Sequence, residues 1–138
     1  MKDADKKRLL REMLFARRFE ERCYEAYVER NIGGFLHLYP GEEACAHGVL
    51  EAARVGHDYV ITSYRDHVHA LKSGAPAREI MAELYGKETG SSKGRGGSMH
   101  IFDPTVNFMG SSLWTRPQMG HPDQTTLTGD MLCSQYLN

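Results

Sequence analysis

Tyr64-Arg65-Asp66-His67 sets a phenol, a guanidinium, a carboxylate and an imidazole in consecutive positions. They close a β-branched and aromatic run that reads as a strand, and in open α/β sheets ligands bind at the carboxyl ends of strands. Arg65 can fork onto a phosphate and Tyr64 can donate a hydroxyl hydrogen bond, with the N-terminus of a following helix favouring an anion. The competing reading pairs Arg65 with a carboxylate such as Asp66. Gly90-Ser91-Ser92-Lys93-Gly94-Arg95-Gly96-Gly97 could cradle phosphates through backbone N–H groups, helped by Lys93 and Arg95, or be a flexible surface loop. It fits neither Walker A nor a dinucleotide fingerprint, which would need glycine where Met99 stands. His37 lies in an apolar segment, either as a core histidine bonded to backbone or as an imidazole in a dry pocket that holds a carboxylate or moves a proton. His67 and His69 are two apart on a predicted helix and diverge by about 200°, against a shared metal. His100 can reach an anionic ligand or be a strand residue.

These side chains need elements to position them. Residues 6–30 contain no Gly or Pro, and Phe15, Phe19, Cys23 and Ala26 recur at helical spacing, with Leu9, Met13 and Ala16 widening the face. A long amphipathic helix follows, ended by Asn31-Ile32-Gly33-Gly34. After Phe35–Tyr39 and Pro40-Gly41 comes an Ala-rich helix over 42–54, whose Ala44, Gly48 and Ala52 form a small-residue stripe open to close backbone approach. Residues 58–64 are the best strand candidate. Ser63-Tyr64-Arg65-Asp66 resembles a capping box, so a helix is predicted directly after, stopping at Gly74. Pro76 opens another helix that Gly86 closes. Helices around a strand indicate an α/β class.

The length, 138 residues, suits one domain with a real core, and 41% hydrophobic residues with a net charge of −1 exclude a disordered chain. The same balance speaks against a nucleic-acid footprint, and no run approaches the roughly 18 apolar residues of a membrane span. The charged start Met1–Arg8 predicts no targeting segment. Cys23, Cys45 and Cys133 form no CxxC or disulfide framework, so a reducing compartment is expected: cytoplasm, or a plastid or mitochondrial matrix in a eukaryote. Residues 111–138 carry only Arg116, Asp123 and Asp130 as charges and hold the single Trp114.

Three ordered segments together resemble one family. Gly34-Phe35-Leu36-His37-Leu38-Tyr39-Pro40-Gly41-Glu42-Glu43-Ala44, Ser63-Tyr64-Arg65-Asp66-His67 and Lys93-Gly94-Arg95-Gly96-Gly97-Ser98-Met99-His100 look like successive signatures of the α subunit of the E1 component of 2-oxo acid dehydrogenase complexes. Arg65-Asp66-His67-Val68-His69-Ala70-Leu71 and Gly86-Lys87-Glu88-Thr89-Gly90 resemble pyruvate dehydrogenase of the cyanobacterial and plastid type. The resemblance runs from about Leu9 to Gly110. It implies residues 1–110 of a thiamine-diphosphate-binding fold, a parallel sheet flanked by helices, incomplete here, and a divergent tail over 111–138 with little regular structure. It also implies a heterotetramer with an E1 β subunit, Mg²⁺ beside the cofactor, decarboxylation of pyruvate, and acetyl transfer to the lipoyl group of E2.

By the same motif matching, Tyr64 and Arg65 bind the diphosphate, while His37 and His67 are the catalytic candidates, His37 lining the substrate side. The segment Gly94–His100 should border the cofactor cleft. Past Gly110 the family pattern gives way: Thr128-Gly129-Asp130-Met131 matches only part of its Gly-Asp-Gly motif, and the metal-binding Asn has no counterpart. Truncation, frameshift or rearrangement are the expected accounts. The chain alone is expected to be inactive, and insoluble or oligomeric. The alternatives are a non-catalytic remnant that assembles with the β subunit, using the first helix and the small-residue helix, an acetoin or branched-chain E1 α subunit, and a phosphate-sensing module built on Arg65 and the glycine-rich loop.

Overall fold

The computed structural model describes residues 1–111; Trp114, the Gly129-Asp130 pair, Cys133 and the rest of the expected divergent tail from residue 112 on lie outside them. Helix α1, Asp3–Val28, starts where the Asp5 carboxylate accepts the Lys2 backbone N–H at 3.1 Å, an acid on the positive end of the helix dipole. It ends earlier than residue 30, because Arg30 takes a left-handed backbone conformation and the Asn31 N–H returns to the Ala26 carbonyl. Its buried stripe is Ala16, Phe19, Glu20, Cys23 and Ala26. Phe15, expected on that stripe, faces outward, and a glutamate is inside instead.

Helix α2, Glu43–Leu50, is shorter than the predicted 42–54. The Asp58 carboxylate takes the Arg54 backbone N–H at 2.9 Å as well as its guanidinium, offering that backbone a partner outside the helix. The small-residue stripe points away from the core, since Ala44, Gly48 and Ala52 are exposed while Glu43, Ala46, His47 and Leu50 are buried.

Strand β1 is only Val60–Thr62, and it pairs in parallel with β2, Phe108–Ser111, with a register irregularity between Val60 and Thr62. Between them run α3, His67–Ser73, and α4, Ala77–Leu84, so the unit is a strand–helix–helix–strand crossover in an α/β fragment. The expected capping box does not form: Asp66 occupies the N-cap of α3, with no side-chain cap hydrogen bond. Gly74 ends α3 with φ +107°, as its missing Cβ permits. The main core joins Phe19, Cys23 and Ala26 of α1 to Ala70, Ile80, Leu84, Ile101 and Phe108. A smaller cluster of Ala16, Tyr39, Ala46 and Val68 binds α1 to α2 and α3. Among the described residues no helix is long and apolar enough to cross a membrane.

Candidate functional site

The backbone leaves β1 at Thr62 and turns, so Tyr64 and Arg65 stand at the carboxyl edge of the sheet. Arg65 is half-buried, and one of its terminal nitrogens donates to the Leu38 carbonyl at 2.6 Å. Its guanidinium carbon sits 5.4 Å from the centroid of the Tyr64 ring, within cation–π range. The His37 ring meets that same tyrosine edge-on at 4.9 Å, and Phe35 stacks behind it. Three sequence candidates, His37, Tyr64 and Arg65, therefore share one surface although 26 or more positions separate the first from the others in the chain. Among the described residues Arg65 pairs with no carboxylate, and its one hydrogen bond uses a single nitrogen.

His67 lies beneath this surface, fully buried. Its Nδ1 is 3.1 Å from both carboxylate oxygens of Glu20, and its Nε2 is 2.8 Å from Ser98 Oγ. A ring with no exposed atom and both nitrogens engaged does not face a ligand, so the direct catalytic part expected of His67 does not suit its position. His69 diverges from it as the helical spacing requires, packing edge-on against Tyr39 at 5.1 Å. The first turn of α3 is itself buried, so the anion donor presented to solvent is Arg65 rather than the helix end.

The glycine-rich segment is neither a loose loop nor an open phosphate cradle. Its N–H groups already hold an anion, the fully buried carboxylate of Glu83 in α4. Ser92 and Gly94 donate to Oε2 at 2.8 Å each, while Gly96 and Gly97 donate to Oε1 at 2.7 and 3.2 Å. The glycines are sterically required, because a Cβ on Gly94 would lie 2.4 Å from the Gly86 carbonyl carbon and one on Gly96 2.1 Å from the His100 oxygen. Lys93, Arg95 and His100 are exposed on the rim.

Electrostatics separate the two histidines. Burial, then the positive charge of Arg65 and then His67, push the His37 imidazole below its ordinary value of 6.5, so it is neutral near pH 7. Burial opposes the His67 imidazolium, but the Glu20 hydrogen bonds and charge outweigh it, and its value is raised. Cys23 adjoins this pair, and Glu20, Cys23 and His67 could in geometry hold an ion. Burial followed by the Glu20 charge drives the Cys23 thiol far up, which keeps it protonated and disfavours a thiolate ligand.

Sequence reasoning missed Glu20, Glu83 and Ser98. For Glu20 a signal existed: an acid four positions after Ala16 and three before Cys23 lies on the apolar face of α1. For Glu83 the composition alone held none, since its partners are backbone groups.

A family model described as "Dehydrogenase E1 component" matches residues 11–132. A relative from Porphyra purpurea, "Pyruvate dehydrogenase E1 component subunit alpha", is 52% identical over 102 residues, covering 74% of this chain and 29% of the relative. Proteins of the same name from Rhizobium meliloti and Zymomonas mobilis are 53% and 48% identical, over 72% and 79% of this chain and 28% and 32% of their own lengths. The chain thus spans less than a third of the length of these curated relatives.

Proposed function

The chain belongs to the dehydrogenase E1 component family, and from that premise we propose that it supplies the α-subunit face of a thiamine diphosphate site in a pyruvate dehydrogenase E1. In this reading it works with an E1 β subunit, within a thiamine-diphosphate-binding fold of which residues 1–110 form the amino-terminal part, and acetyl groups pass to the lipoyl group of E2. One observation carries the reading. Arg65 stands at the carboxyl edge of a parallel strand pair, held by one nitrogen, with Tyr64 and His37 beside it.

These residues fit the phosphate end of the cofactor. The Leu38 carbonyl fixes the guanidinium while its remaining N–H groups have no other partner among the described residues, leaving a fork for phosphate oxygens. The exposed Tyr64 adds a hydroxyl donor. They do not build a Mg²⁺ site, which needs an octahedral set of oxygens. Among the described residues the one cluster of potential ligands is Glu20, Cys23 and His67, inside the core, with Glu20 and His67 already hydrogen-bonded to each other. No step is therefore assigned to a metal.

Bound thiamine diphosphate would supply the electron sink for decarboxylation. The chain's own part is orientation and charge. Arg65 and Tyr64 hold the diphosphate, and the neutral His37 ring hydrogen-bonds the carboxyl or carbonyl oxygens of a short 2-oxo acid next to it. His67 contributes by holding the layer beneath. Calorimetric titration of thiamine diphosphate with Mg²⁺ into the chain complemented by a β subunit tests this. Binding that Arg65→Ala weakens supports it; no heat from the unsubstituted complex overturns it.

A second reading has its own support. Leu10, Leu14, Phe15, Tyr24, Tyr27 and Val28 leave much apolar surface exposed along α1. An assembly remnant that binds a β subunit without cofactor would use this face. Co-elution with the β subunit in the absence of any thiamine diphosphate uptake would favour it over the catalytic reading.

A further inference from the structure

His37 sits in a segment, Phe35–Tyr39, that belongs to no helix or strand, so its main chain must be fixed by other means. Its N–H donates to Ser98 Oγ at 3.0 Å. Ser98 is buried, and the same oxygen lies 2.8 Å from His67 Nε2, whose other nitrogen is on Glu20. The apolar segment and α3 thus meet at one hydroxyl that follows the glycine-rich loop, and Glu20 of α1 joins them through His67.

We infer that Ser98 is a positioning residue: its hydroxyl, seated by the His67–Glu20 pair on one side and by the Glu83-clamped loop on the other, fixes the main chain of His37 and with it the imidazole beside Tyr64 and Arg65. The hydrogen-bond accounting supports this in either charge state of His67. An imidazolium donates from Nε2 to Oγ, which also accepts the His37 N–H with its second lone pair. A neutral ring, kept as the Nδ1–H form by Glu20, instead accepts the Ser98 proton while Oγ still accepts from His37. The heavy atoms stay bonded throughout. Ser98 immediately follows Gly96 and Gly97, whose N–H groups are on Glu83, so its backbone has little freedom to carry the hydroxyl elsewhere. Leu38, next to His37, is tied from the other side by Arg65, so losing the serine frees one of two tethers.

The consequence for ligand binding rests on the function proposed above; the tether itself does not, and the experiment separates them. Amide hydrogen exchange and ring-nitrogen NMR are recorded on the full chain. In the unsubstituted protein the His37 amide should be protected, unlike the exposed Gly34 amide; an unprotected His37 amide overturns the inference without any variant. Ser98→Ala should speed His37 exchange on the order of tenfold, the worth of one hydrogen bond. It should also shift the His67 ring nitrogens, while the Ala70 amide within α3 keeps its rate. Ser98→Thr, which retains the hydroxyl, should restore both signals. If Ser98→Ala matches the unsubstituted chain at His37, or if threonine fails to rescue, the inference is wrong. Thiamine diphosphate with Mg²⁺ is then titrated in the presence of a β subunit. Affinity about tenfold weaker in Ser98→Ala than in Ser98→Thr supports positioning, and equal affinities overturn it. No uptake by the unsubstituted complex, with a protected His37 amide, sinks the function and leaves the tether supported.

Discussion

Glu83→Gln tests how the glycine-rich loop is held. The carboxylate accepts four backbone N–H groups, two on each oxygen, at 2.7 to 3.2 Å. A glutamine keeps one oxygen and turns an NH₂ toward two of those donors, so two bonds are lost and donors face donors. Hydrogen bonds to a charged group are worth roughly 1.5–3 kcal/mol each. The loop is only partly buried, and water can rescue some of the stranded N–H groups, which pulls the cost to the lower end, about 3 kcal/mol. A domain of this size holds ~5–15 kcal/mol in all. With a urea slope of about 1.5 kcal/mol/M, the unfolding midpoint should fall by roughly 2 M. Lys93 and Arg95 are exposed on that loop, so trypsin should cut the variant there much faster under native conditions. A midpoint within about 0.5 M of the unsubstituted chain, with unchanged cutting at both residues, would refute the idea that this carboxylate organises the loop.

Arg65→Ala should cost about 1.5–3 kcal/mol of thiamine diphosphate affinity in the β-complemented complex, measured by calorimetry, and retained affinity would remove Arg65 from the phosphate site. Gly96→Ala drives a Cβ to within 2.1 Å of the His100 carbonyl oxygen, a backbone atom that yields only if the loop moves. It should lower stability by about 1–3 kcal/mol, read as a fall in the thermal midpoint. By NMR titration His37 should titrate below 6.5 and His67 above it. Since the folded value of His67 is raised, its contribution to stability is whole below pH 6.5 and is lost as pH rises through the folded value. Glu20→Gln should therefore flatten the stability profile above pH 6.5, and an unchanged slope there would contradict the pairing.

What the sequence determined by itself was mostly local. An unbroken stretch without Gly or Pro made α1, Gly74 and Pro76 punctuated the crossover, and the order of motifs disclosed the family, because each depends on backbone preference or on residues adjacent in the chain. Element lengths were less legible. α2 and β1 came out shorter than their patterns because Asp58 and the register with β2 intervene from outside those patterns. Phe15 faces outward although the spacing put it on the buried stripe, and Glu20, which the spacing places on the apolar face, is tolerated there because an imidazole from α3 meets it. Only the tertiary structure decided that the glycine-rich loop wraps an internal carboxylate and that Arg65 reaches across to Leu38. It alone set one serine hydroxyl between His67 and His37. Such contacts join groups 9 to 61 positions apart, and their energies depend on burial and distance that a linear pattern of residue types does not encode.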